Sequence, residues 1–241
     1  ETVTASGKIQ PEIEIKLSPE VSGEIIELNI QEGDRVEAGD LLVKINPDIY
    51  ETSVTRARAA VNSAKASVSQ AQATFDEADK SFKRSKKLKD QDVISDAEYD
   101  AAERSHTVTR HQLEAAESQL ESAKASLKEA NQNLKRTTIV APQAGSISVL
   151  NVELGERVVG TAQMAGTELL RVANLKNMEV LVEVNENDIV RVNLGDTAEV
   201  EVDAYLDRSF KGVVTEIANS ANLAGVSADQ VTTFEVKIGI L

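Results

Sequence analysis

Two stretches of this chain, 23–45 and 145–172, are copies of one short β-motif, and almost a hundred residues of heptad-patterned sequence lie between them. At one constant offset the copies match at Gly23/Gly145, Ile25/Ile147, Leu28/Leu150, Asn29/Asn151, Ile30/Val152, Gly33/Gly155, Asp34/Glu156, Arg35/Arg157 and Val36/Val158. After a five-residue insertion in the second copy, Gly39/Gly166, Leu42/Leu169 and Ile45/Val172 resume the match. Short apolar runs punctuated by glycine read as strands and tight turns, and two such copies close a flattened sandwich only by pairing with each other. Neither half is expected to fold alone.

The intervening segment repeats every seven residues. Val54, Val61, Val68, Phe75 and Phe82 are followed three places on by Ala57, Ala64, Ala71 and Ala78. Tyr99, His106, Leu113, Leu120, Leu127 and Leu134 repeat the rule with Ala102, Thr109, Ala116, Ala123 and Ala130. Both are a/d seams of a left-handed coiled coil. The one breaker between them is QDVISD at 91–96, short enough to make the helices antiparallel neighbours. About 40 residues per arm gives a rod on the order of 60 Å long. Alanine at nearly every d position leaves a thin apolar seam, so the hairpin reads as a spacer and docking arm. Ser95 followed by Glu98 fits a capping box that starts the second helix. Six basic residues (Lys80, Lys83, Arg84, Lys86, Lys87, Lys89) precede the turn in a chain of net charge −14. Such a run is either a solvated helix face or, at the end of a rod, a docking patch.

Period-two alternation marks strands near 178–184, 199–203 and 233–240, with polar outer faces. Ile13, Ile15 and Leu17 alternate likewise, and the N-terminal strand is expected to complete that layer. The fold class is elongated and modular α+β, an antiparallel coiled-coil hairpin inserted in a split β-sandwich with a further small antiparallel layer; resemblance to known families implies that the sandwich is lipoyl-like and the layer a β-barrel. The expected division is 48–138 for the hairpin (tip about 84–96), 18–47 with 139–174 for the sandwich, and 1–17 with 175–241 for the barrel.

Composition narrows the function. A pI near 4.7, with no basic stripe interleaved with aromatics, argues against nucleic-acid binding. The absence of cysteine fits an oxidising compartment without requiring one. His106 sits on the heptad seam and His111 off it, a poor zinc pair. Two methionines, Met164 and Met178, disfavour a methionine-based metal relay. With no phosphate loop and no nucleophile beside a base, neither enzyme activity, cofactor nor metal is expected.

The sandwich pattern resembles the biotinyl/lipoyl carrier fold, but Pro47 to Thr138 stands where the modified-lysine hairpin would be, and Lys44 lies within a strand. A carrier subunit thus remains only a remote alternative. As a whole the chain resembles the periplasmic adaptor, or membrane fusion, proteins of tripartite efflux pumps (HlyD-like). In the branch that docks on TolC-type outer-membrane ducts, the tip carries an Arg, a Leu four residues on and a Ser seven beyond; Arg84, Leu88 and Ser95 have that spacing. The resemblance implies that these residues contact the duct. The insertion at VVGTAQMAGTELL resembles the macrolide-exporter (MacA-like) type, implying Gln163 as a channel-gating ring residue; the alternative is an ordinary polar loop. Further implications are an inner-membrane ABC transporter partner (alternatively a proton-driven RND pump), self-association as a hexamer, an N-terminal anchor preceding this chain, and a membrane-proximal β-domain beyond Leu241. A purely structural envelope coiled coil is the rival outside transport.

Overall fold

In the computed structural model, residues 3–161, 166–202, 209–218 and 233–240 are described. Strands β1 (Gly7–Pro11) and β2 (Glu14–Leu17) come first, followed by β3 (Gly23–Leu28), β4 (Arg35–Val36) and β5 (Leu41–Ile45). Helices α1 (Asp48–Lys89) and α2 (Asp96–Lys135) form the hairpin. The second half of the sandwich then adds β6 (Thr138–Val140), β7 (Gly145–Leu150), β8 (Arg157–Val158) and β9 (Leu170–Ala173). The chain continues through β10 (Met178–Asn185), the short α3 (Glu186–Ile189), β11 (Thr197–Glu201), β12 (Ser209–Ile217) and β13 (Thr233–Ile240).

The duplication acts by exchange of strands. One four-stranded sheet runs β2-β9-β7-β4 and the other β6-β5-β3-β8, so each contains strands from both copies. β3 of the first copy pairs β8 of the second, and β7 of the second pairs β4 of the first, through Gly23↔Val158 and Val36↔Gly145. The local two-fold extends to single bonds. Ile25 N donates to Glu156 O and Ile147 N to Asp34 O; Gly33 N donates to Ile147 O and Gly155 N to Ile25 O, all at 2.9 Å. Matched side chains fill one core: Ile25 and Ile147, Leu42 and Leu169, Ile45 and Val172, Val36 and Val158. Gly145 is glycine because a Cβ there would stand 2.6 Å from Ala173 O.

One turn recurs four times, at 31–34, 37–40, 153–156 and 193–196. In each, the glycine at the third position has φ between 86° and 95°, and the acid at the fourth accepts from the first residue's N–H. The glycine N–H then donates across to a neighbouring carbonyl (Ile147, Ala141, Ile25 and Val214 respectively). Positive φ at the third position excludes most side chains, while the carboxylate ties the turn's entry to its exit. The fourth copy, Asn193-Leu194-Gly195-Asp196, leads into β11 of the five-stranded sheet β1-β10-β13-β12-β11.

That sheet has a separate core of Val180, Val182, Val184, Val214, Val236 and Ile238, the inward half of the alternating strands. One expectation for it is corrected. Residues 14–17 pair with β9 in the sandwich, Leu17 with Leu170, and only Gly7–Pro11 pairs with β10 in the five-stranded sheet. The chain crosses between sheets at Glu12 and Ile13, where Glu12 N donates to Asn177 O and Asn174 N to Ile13 O. Alternation shows that a segment is a strand with one buried face, not which sheet it joins.

The hairpin's feet hold to the 18–22 segment. Tyr50 Oη donates to Ser22 O at 2.8 Å, and Arg136 Nε lies 2.7 Å from Glu20 Oε2. Ile45 N donates to Thr137 O, so the chain leaves and re-enters the sandwich at neighbouring points. The insertion therefore leaves the strand order of the sandwich undisturbed.

Candidate docking site at the hairpin tip

Along both helices the seam residues are the shielded ones. Val54, Ala64, Thr109, Leu113 and Ala130 are buried, and the remaining a and d residues named above are half-buried. His106 belongs to this seam: its ring stacks on Phe82 (4.9 Å between centroids, 23°), lies 5.2 Å from Phe75, and brings Nε2 within 3.4 Å of Asp79 Oδ1. It is a half-buried seam histidine. Among the described residues no cluster of three metal-ligating side chains occurs.

The far end of the hairpin is built from four local devices. The first ends α1. Val93 N donates to Leu88 O and Asp92 N to Lys89 O, both at 2.9 Å. These two bonds make a Schellman closure, in which the residue carrying the second bond takes the left-handed conformation. Here that residue is Asp92, with φ 57°, the one non-glycine at positive φ among the described residues. Aspartate tolerates this region better than most L residues. The second device starts α2. Ser95 is the N-cap: its Oγ accepts from Glu98 N at 3.4 Å, while Ser95 N donates to Glu98 Oε2 at 3.0 Å. Ser95 Oγ also donates to that carboxylate at 2.9 Å.

The third device joins the helices, through an ion pair between Lys89 and Asp96. The fourth binds Lys83 Nζ to Asp79 Oδ2 at 2.6 Å. The basic run thus divides, with Lys83 and Lys89 engaged by carboxylates of the hairpin itself. Arg84 is exposed and, among the described residues, engages no partner. Arg84 and Leu88, four residues apart, share one side of α1, and Ser95 opens α2 immediately beyond. Arg84, Leu88 and Ser95 are all exposed in the turns at the far end of the hairpin. Gln163 lies outside the described residues.

These contacts set a pH window. Hydrogen bonding and charge from Lys89 hold Asp96 below its ordinary value, and the Ser95 N–H and hydroxyl do the same for Glu98. Lys89 is raised by Asp96. A depressed carboxylate contributes stability above its unfolded value, lost as pH falls through the folded one; a raised lysine contributes below its unfolded value, lost as pH rises through the folded one. The tip is expected to stay closed from about pH 4 to about pH 10. Protection factors of the Glu98 and Tyr99 amides, which donate to Ser95, taken relative to the intrinsic exchange rate at each pH, should be constant through that window and fall below about pH 4. A protection factor that falls between pH 5 and 8 would contradict this account.

Sequence reasoning located the tip and its cap but missed Asp92, because the usual signal for a left-handed helix stop is glycine. It also missed Val93, whose exposure becomes visible only once the turn is built.

A helical hairpin rising from a two-copy β-sandwich, beside a small antiparallel sheet, is the architecture of a barrel-sandwich hybrid. The family described as RND MFP, barrel-sandwich hybrid domain matches residues 14–168, and the chain belongs to it. The macrolide export protein MacA of Escherichia coli O157:H7 is 28% identical over 198 residues, 82% of this chain and 53% of that protein. The pyoverdine export membrane fusion protein PvdR of Pseudomonas aeruginosa is 29% identical over 216 residues, 90% of this chain and 55% of that protein. This chain spans about half the length of these curated relatives. In structure it is similar to MacA from Actinobacillus actinomycetemcomitans, with a TM-score of 0.86 at 21% identity, covering 99% of this chain and 72% of that one. At that identity the likeness shows the fold alone.

Proposed function

We propose that the protein is a periplasmic adaptor, held at the inner membrane, that links a transporter there to a TolC-type outer-membrane duct for export of drugs or other small solutes. The observation that carries this reading is the hairpin tip. Arg84, Leu88 and Ser95 stand exposed at the end of a rod about 60 Å long, held by a capping box, a Schellman closure and a cross-helix ion pair. Neither a metal cluster nor a membrane-crossing helix occurs among the described residues. The work assigned to the chain is to bridge, seal and transmit, with the energy supplied by a partner.

A single hairpin cannot enclose a channel, so the adaptor acts as a ring, which we take to be a hexamer, with hairpins side by side as the wall. The resemblance of the insertion to the MacA-like type favours an ABC transporter as the partner, and relatives are named as macrolide and pyoverdine export proteins. A proton-driven RND pump is the second reading, favoured by the family's description as RND MFP. Mild cross-linking of the full-length protein in cells, affinity purification and mass spectrometry separate them. A nucleotide-binding-domain transporter in the eluate supports the first and a large proton-coupled permease the second; neither in the eluate contradicts the adaptor reading.

Gln163 is proposed as the gate of this conduit, since six amides that both donate and accept can close a hydrogen-bonded ring. Gln163→Ala is expected to change leakage or transport rate while the oligomer persists on size-exclusion chromatography. Loss of the oligomer would make the residue structural instead.

A further inference from the structure

The tip presents one large, exposed apolar side chain that the docking triad does not include. Val93 stands between Leu88 and Ser95 in sequence and is 64% exposed, against 39% for Leu88. Most of its neighbours in sequence are polar, with Lys89, Asp90, Gln91 and Asp92 before it and Ser95, Asp96 and Glu98 after it, while the adjacent apolar Ile94 is half-buried. The turn needs only the backbone of Val93, whose N–H closes the helix on Leu88 O. In this closure residues 88 and 93 occupy the two positions whose side chains commonly meet across the turn, yet both remain open to solvent.

We propose that Val93 is a fourth docking contact, forming with Leu88 a single apolar knob that seats in the helical tip of the outer-membrane duct. This inference rests on the adaptor reading above. The chemistry of the tip defines what would receive the knob. Arg84, unpaired within the described chain, offers a fork of donors to carbonyls or carboxylates, and the last carbonyls of a helix are such acceptors. An apolar knob beside that guanidinium matches an apolar notch between helix ends. Ser95 contributes less, because its hydroxyl proton already goes to Glu98.

Asp92 acts here as a positioning residue. Its left-handed backbone turns the chain so that Val93 projects at the apex, and the Lys89–Asp96 pair and the capping box hold the flanking helices. The knob is presented preformed, so docking need not order the turn.

The test uses the full-length adaptor and the purified TolC-type duct of the same cell, immobilised, with binding measured at several adaptor concentrations. Val93→Thr keeps the branched shape and adds a hydroxyl; it should weaken binding roughly tenfold with helical content and melting unchanged. Val93→Leu should bind within about threefold of wild type, since the apolar contact is kept. Asp92→Gly should retain both binding and melting, because glycine adopts the same backbone. Arg84→Asp separates the two ideas. If Arg84→Asp abolishes binding while Val93→Thr binds as wild type, the Val93 proposal is overturned and the adaptor reading stands. If both variants bind as wild type, the docking assignment itself fails and takes the proposal with it.

Discussion

Arg84→Asp in the full-length protein is expected to abolish capture of the outer-membrane duct while leaving the hairpin folded. Arg84 is exposed and engages no partner in the described chain, so its loss removes no hydrogen bond or ion pair there. Its neighbours Lys83 and Lys89 are already bound by Asp79 and Asp96, while Arg84, one helical turn before Leu88, keeps its planar fork of donors. Truncating one partner of a desolvated, hydrogen-bonded charge pair costs about 2–5 kcal/mol, a loss of thirtyfold or more in affinity. Reversing the charge adds repulsion from any carboxylate on the partner. Drug tolerance in cells relying on this pump should fall to that of the null strain, with the circular dichroism of the purified protein unchanged. Wild-type tolerance, or a loss of helicity that accounts for the defect, would count against the tip assignment.

The second large effect belongs to the sandwich. Ile147→Ala is expected to destabilise it by about 2–5 kcal/mol, the range for removing a large buried aliphatic side chain that leaves a cavity. Ile147 is 2% exposed and packs in the core shared by both copies. Its N–H and C=O bond to the turn at Asp34 and Gly33 of the other copy, so the two halves cannot yield separately. Denaturation followed by exchange at Ile25 N–H and Ile147 N–H should show both losing protection at one midpoint. Two midpoints would show that the halves fold independently. The symmetric change, Ile25→Ala, should behave alike, because the same bond pattern is reflected through the local two-fold.

Much of this architecture could be read from residues because its signals are periodic. Heptad positions fixed the seam, down to His106 as a member of it, since a helix places every seventh side chain on one stripe. The duplicated glycines fixed the sandwich, since positive φ at Gly33 and Gly155 admits few alternatives. Ser95 with Glu98 fixed where α2 begins. What escaped was of another kind. The sheet that 14–17 joins depends on where the chain crosses at Glu12 and Ile13, and a strand pattern carries no address. The left-handed stop at Asp92 lacked its usual glycine. The fourth turn, at Asn193–Asp196, repeats the Gly-acid signal of the sandwich but stands outside the duplicated span, so copy matching passed over it. At the tip, Arg84, Leu88 and Ser95 were singled out by family resemblance, while only three-dimensional pairing could show that Lys83 and Lys89 are spent within the hairpin.

The central claim is that the hairpin tip meets an outer-membrane duct. A photo-cross-linking amino acid placed at position 88 of the full-length protein in cells, and in a second strain at the mid-rod seam position 68, tests it most directly. The account predicts that the position 88 probe yields a covalent adduct with a TolC-type duct, identified by mass spectrometry, and that the position 68 probe, half-buried against α2, does not. An absence of outer-membrane protein from the position 88 adducts, or equal duct capture from both positions, would contradict it.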